Sequence, residues 1–177
     1  MSTLVKNILR FVLLILVQFY ILDKVNLHRM VVPYIYFLFI IWMPFSLGRA
    51  WQMILAFILG LTLDSFRHNP GFHAAACVLI AYLRPFLINV LIPQEGADTN
   101  YDEPSARSMG GLFPYMVYAG LLTLLHHGWL FFLEAMEFGN FWYFIIKTLL
   151  STIITLCLIF IAELLFSRKQ KFRTNTA

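Results

Sequence analysis

Charge is what this sequence is poorest in: Asp, Glu, Lys and Arg make up 12% of its 177 residues, where a soluble domain carries roughly 25%. With 60% of the residues hydrophobic, too few polar side chains remain to coat a water-facing surface, so a soluble globular domain is excluded. Cysteine is scarce as well. Cys77 and Cys157 both fall inside apolar runs, where a thiol acts as a small hydrophobe, and neither a disulfide framework nor a thiolate metal site follows. Missing too are G-x-S-x-G, H-E-x-x-H and a phosphate-cradling glycine loop. Ser65, beside Asp64 and three residues before His68, is the one crude nucleophile candidate, on a turn without identifiable oxyanion donors. The reading is non-enzymatic, with no cofactor.

What the sequence does have is long apolar runs. They alternate with breakers in a way that gives an all-α integral membrane protein of one domain, with six spans at about 4–22, 31–47, 50–66, 72–92, 112–134 and 142–166. Runs such as Val31 to Phe45 are apolar on every side, which excludes the period-2 alternation of a transmembrane β-barrel. Only Ser46, Leu47, Gly48 and Arg49 part the second and third runs, a tight hairpin with Pro44 just before it. The first run follows Lys6 and Arg10 but no small-residue cleavage site follows it, so it reads as a retained span.

Orientation follows from the cations. An even number of spans puts both termini on one side, with Lys6, Arg10, Arg49, Arg107, Arg168, Lys169, Lys171 and Arg173, against Lys24, Arg29 and Arg67 on the other. That side is the cytoplasm by the positive-inside rule. The net charge of +4 mainly reflects this asymmetry, and a nucleic-acid partner is disfavoured. The basic tail from Ser167 to Arg173 is a topology signal or a contact for anionic lipid headgroups. The polar connection 93–111 is a mobile linker or a contact surface for a cytosolic protein.

Ionisable residues inside the spans carry the functional expectations, because a charge at the centre of a membrane helix costs about 2.5–3.5 kcal/mol on insertion scales. Asp64 closes the third span, where the helix dipole disfavours an anion, so Arg67 or Arg84 is expected as its compensating cation. Asn69, Pro70 and Gly71 then stop the helix. Asp64, His68 and His73 have no metal-binding register across that turn. His126 and His127 diverge by about 100° on a helix and cannot share an ion, which leaves them as buried hydrogen-bonded histidines or as a proton relay. Arg84, directly before Pro85, either snorkels to the cytoplasm or pairs in the interior, with Glu163 as one partner. Lys147 reads as a snorkelling anchor, and Glu134 and Glu137 as solvated. In the sixth span, Thr148, Ser151, Thr152 and Thr155 fall at i, i+3, i+4 and i+7, with Glu163 within about 20° of Thr152. Such a stripe is a helix-packing face, or else the lining of a ligand mouth. Ala56 and Gly60 form a weaker close-packing pair.

The run Gly60-Leu-Thr-Leu-Asp64, a short polar turn, Gly71-Phe-His73 and a span holding Ala81-Tyr-Leu83 resembles the MreD family of bacterial rod shape-determining membrane proteins. Pro33 near the start of the second span fits that pattern too. Arg67, His68 and Asn69 stand where the family has small residues, marking a divergent member. The resemblance implies a non-enzymatic scaffold in the bacterial inner membrane that binds an MreC-like protein. It implies an association with MreB filaments and with RodA and its transpeptidase, in peptidoglycan synthesis for elongation. The implied fold is similar to the six-helix substrate-binding subunits of energy-coupling-factor transporters. A vitamin-binding subunit of such a transporter is therefore the alternative function. Partner binding is expected through the outer turn and adjoining helix faces, and the partner or helix-packing candidates are Gly60, Asp64, Arg67, Gly71, His73, Arg84, Thr148, Ser151, Thr152, Thr155 and Glu163.

Overall fold

The computed structural model describes residues 3–24, 31–68, 71–92, 102–138 and 141–166. Among them there is no β-strand. The helices are α1 (Thr3–Tyr20), a one-turn α2 (Leu38–Ile41), α3 (Arg49–Arg67), α4 (Phe72–Leu91), α5 (Leu112–Phe138) and α6 (Phe141–Leu165), with a 3₁₀ turn at Leu22–Lys24 after α1. Among the described residues, four stretches are long and apolar enough to cross a membrane: Val5–Lys24, Phe72–Leu91, Leu112–Met136 and Phe141–Leu165. The chain is therefore built as an integral membrane protein. The basic tail from 167 and the part of the polar connection at 93–101 lie outside the described residues.

Helices α3, α4, α5 and α6 pack in sequence order, each against the next, and α2 touches α1 and α4. The outer faces remain apolar, with Ile8, Val12 and Leu16 on α1, Phe57 and Leu61 on α3, and Leu149, Ile153 and Ile161 on α6 all exposed. In water such faces would drive association, whereas lipid tails solvate them. Pro85 lies within α4, which runs on through it.

The expected second span at 31–47 is not a continuous helix. Residues 31–35 have no regular secondary structure, turns follow, and only Leu38–Ile41 closes a single helical turn. The local cause is composition: Pro33 has no N–H to give, Pro44 ends the stretch, and the residues between are mostly aromatic or β-branched, which are poor helix formers. Yet this is the most enclosed part of the molecule, with Tyr34 and every residue from Tyr36 to Met43 buried. Irregular backbone survives at membrane depth only when protein surrounds it and its polar groups are bonded. Here the helices form a sleeve around it.

Candidate functional site

The sleeve supplies the bonds that the segment cannot make with itself. Val32 N–H donates to Ser151 Oγ at 3.0 Å, and Tyr34 N–H to Thr155 Oγ1 at 3.3 Å. Two extended residues advance about 6.6 Å and four helical residues about 6 Å, so alternate N–H groups meet hydroxyls one turn apart on α6. Gln18 on α1 works from the opposite side. Its Oε1 accepts from Ile35 N–H at 2.9 Å, and its Nε2 donates to Pro33 O at 3.2 Å and to Asp23 Oδ1 at 2.8 Å. Further along, Tyr118 OH donates to Ile41 O at 3.2 Å and Arg84 Nη2 donates to Met43 O. The hydroxyl stripe of α6 thus divides its work: Ser151 and Thr155 hold backbone, whereas the buried Thr148 and Thr152 hydroxyls have no partner among the described residues.

Gly60, Asp64, Gly71 and His73 meet at one joint between α3 and α4. At Gly60 an added Cβ would lie 2.4 Å from Ala74 Cα and 2.6 Å from His73 O, so the two backbones touch there. One turn further, the Asp64 carboxylate accepts from His73 N–H at 3.0 Å and Ala74 N–H at 2.9 Å. These are orphan donors of the first turn of α4, which otherwise has no side-chain cap, and an anion at a helix N-terminus is favoured by charge as well as by bonding. Gly71 enters α4 at φ +91°, a left-handed conformation suited to glycine. Asp64 therefore finds its hydrogen-bond partners in backbone N–H groups, while the expected Arg67 forms no ion pair with it among the described residues but still acts on it at longer range, and Arg84 is bonded elsewhere.

Arg67 has a different partner. It grips the Asp23 carboxylate through two nitrogens, Nε at 3.2 Å and Nη2, and donates from Nη1 to Tyr34 OH at 2.8 Å. Ser65 Oγ, the nucleophile candidate, donates back to Leu61 O at 2.8 Å and is exposed.

Below this end lies a cluster of rings. Tyr36 OH is 2.8 Å from His73 Nδ1 and 2.8 Å from His126 Nε2. His127 Nδ1 donates to Thr123 O at 2.9 Å, with Thr155 Oγ1 3.4 Å from its Nε2. Both histidines of α5 are fully buried and bonded. Phe37 stacks on His126, with centroids 4.4 Å apart.

Arg84 is 1% exposed and does not snorkel. It donates to Gln52 Oε1 at 3.0 Å and to Met43 O, and among the described residues it makes no ion pair. The proposed Arg84–Glu163 pair does not form, because Glu163 accepts from Ala106 N–H at 2.9 Å. Lys147 likewise bonds Glu134 and lies 4.3 Å from the Phe131 ring centre, so neither the snorkelling nor the solvated reading holds for that pair. Residues 102–111 pack onto the bundle. Glu103 is held by Lys6 at 3.1 Å and Arg10 at 2.8 Å, and Asp102 O accepts from Phe45 N–H at 2.9 Å.

Sequence reasoning passed over Gln18, Gln52 and Tyr36. The signal was available for the two amides, since a lone glutamine inside an apolar span has to bond to something. Tyr36 carried no such signal, because it is one tyrosine in a run of aromatics. In comparisons with protein-family models, curated proteins and solved structures, the chain matches none.

Proposed function

We propose that this protein is a non-enzymatic scaffold subunit of the bacterial cell-elongation complex, of the MreD kind. It spans the inner membrane with both termini in the cytoplasm and binds a single-pass MreC-like protein. MreB, RodA and its transpeptidase are the further members of that complex. The observation that carries this reading is the joint at the outer turn. Gly60, Asp64 and Gly71, the residues on which the resemblance rests, act together there: one sets the approach of α3 to α4, one caps α4, and one turns the chain between them. A motif with that role shapes a surface and needs no reacting group. In this reading α1, the enclosed segment 31–47, α3, α4, α5 and α6 are the six passes.

The test is rod-shape complementation in a strain lacking its own subunit, together with co-purification of the MreC-like partner. Asp64→Asn and Gly60→Ala are expected to lose both, while Ser65→Ala keeps both. Full complementation and partner recovery by Asp64→Asn and Gly60→Ala at normal membrane levels would sink the proposal. One observation favours the vitamin-binding alternative: the buried hydroxyls of Thr148 and Thr152, unpartnered among the described residues, are groups that a small polar ligand could satisfy. Mass spectrometry of the purified protein for a retained vitamin decides between the two.

A further inference from the structure

The Tyr36 hydroxyl has one proton and two imidazole neighbours, each 2.8 Å away. It can donate to only one of them. For neutral rings, the other must present an N–H to the hydroxyl oxygen, so the tautomer of His73 fixes that of His126. If Tyr36 donates to His126 Nε2, both rings carry their proton on Nδ1. If it donates to His73 Nδ1, both carry it on Nε2. Cys77 also lies within hydrogen-bonding reach of the hydroxyl.

The far ends of this chain are open. His73 Nε2 and His126 Nδ1 are buried and have no partner among the described residues, and a buried polar atom left unpaired costs about 1–3 kcal/mol. In either tautomeric state one of these two nitrogens is an N–H and the other a bare lone pair. The ends are thus complementary, one ready to give a proton while the other takes one. The walls admit little else. Tyr34 sits edge-on at 5.3 Å from His73, Phe37 stacks on His126 at 4.4 Å, and the His127 ring is 5.5 Å from that of His126. Arg67, which acts on His73, lies over the Tyr34 ring at 4.9 Å and is already held by Asp23, and Lys147, which acts on His127, is bonded to Glu134. Chains of histidine within membrane segments are where protons are handed on.

We propose that His73, Tyr36 and His126 form a proton relay inside the bundle, with water as the proton donor at one end and the acceptor at the other. A proton from water binds His73 Nε2. The Nδ1 proton of His73 passes to Tyr36 Oη, the former Tyr36 proton passes to His126 Nε2, and the Nδ1 proton of His126 leaves to water. One proton enters, one departs, and both rings end in the opposite tautomer. The reverse transfer carries a proton back and restores the first tautomers, so the chain shuttles a proton to and fro between its two ends. The relay stands independently of the scaffold reading, since it requires no partner.

The test is nitrogen NMR of the full chain in lipid nanodiscs with ¹⁵N-labelled histidine. Each ring is expected to populate both tautomers, with the Nδ1–H fraction of His73 equal to that of His126. Tyr36→Phe is expected to make the two fractions unequal, whereas Cys77→Ala leaves them equal. Unequal fractions in the unmodified protein, a single fixed tautomer at each ring, or equality persisting in Tyr36→Phe would each overturn the relay. The measurement on the unmodified protein decides even if Tyr36→Phe fails to fold.

Discussion

Gly60 and Gly71 flank the same joint and are needed for different reasons, which substitution by alanine separates. At Gly60 the backbone is helical and the obstacle is Ala74, so Gly60→Ala must push α4 away at a cost of about 1–3 kcal/mol or more. At Gly71 the space is open but φ is +91°, so Gly71→Ala costs about 1–2 kcal/mol in backbone strain alone. Thermal unfolding in detergent measures both. The atoms in the way at Gly60 are backbone, Ala74 Cα and N and His73 O, so an added Ala74→Gly substitution is expected to leave the Gly60→Ala defect, like the Gly71→Ala defect, unchanged. His68 is the mirror case. It ends α3 at φ 56° with its N–H on Asp64 O, a position where glycine rests without strain, so His68→Gly is expected to raise stability by about 0.5–1 kcal/mol. An unchanged or lower melting temperature would contradict that. At this scale the sequence was partly legible. Glycine and aspartate at a helix boundary announce a turn, but the choice of backbone N–H over a cation for Asp64 depends on how α3 approaches α4, which residue spacing does not contain.

Among the elements, the pairing of α6 with residues 31–35 is where pattern reading went furthest and then stopped. The 3.6-period stripe at Thr148, Ser151, Thr152 and Thr155 was visible, and so was its burial. Its partner was not, because the stretch opposite reads as a hydrophobic span and gives no hint that it leaves its backbone N–H groups free. Hydropathy scores side chains, while the deciding quantity here was the hydrogen bonding of main chain. A helix-packing stripe would tolerate Ser151→Ala and Thr155→Val with small effects. Since these hydroxyls receive Val32 and Tyr34 N–H, the double substitution is expected to cost about 1–3 kcal/mol per orphaned donor. It should also make single cysteines placed at 32 or 34 reactive to a membrane-permeant maleimide. A stable double variant with cysteines as protected as before would return the stripe to simple packing.

For the whole molecule, ion pairs and backbone contacts sort the ends. Lys6, Arg10, Phe45, residues 102–111 and Glu163 gather at one end, and Asp23, Arg67 and Tyr34 at the other. The start of α1 and the close of α6 therefore lie at the same end of the described helices. The docking of the 102–111 stretch was less legible, since Asp, Glu, Pro, Ser and Gly in succession look like solvated loop. The carboxylate of Glu103 is nearly sealed, so Glu103→Gln is expected to loosen α1, seen as faster protease cleavage near residues 3–10, with little change at Arg67. Equal cleavage rates would place the stability of α1 elsewhere. A C-terminal green fluorescent protein fusion is expected to fluoresce, and an alkaline phosphatase fusion at the same point to stay inactive.

The enclosed segment also dictates an order of birth. As the ribosome delivers residues 31–47, neither Ser151 nor Thr155 yet exists, and bare lipid offers nothing to Val32 or Tyr34 N–H. Until the last helix emerges, this stretch must close its own backbone bonds as a provisional helix or wait beside the insertion machinery. Val32 and Tyr34 N–H reach their final partners only when α6 arrives. Messages cut short before residue 148 should therefore yield chains in which this stretch is a lipid-facing helix, and quality-control proteases would meet a molecule that is finished only when its last helix is.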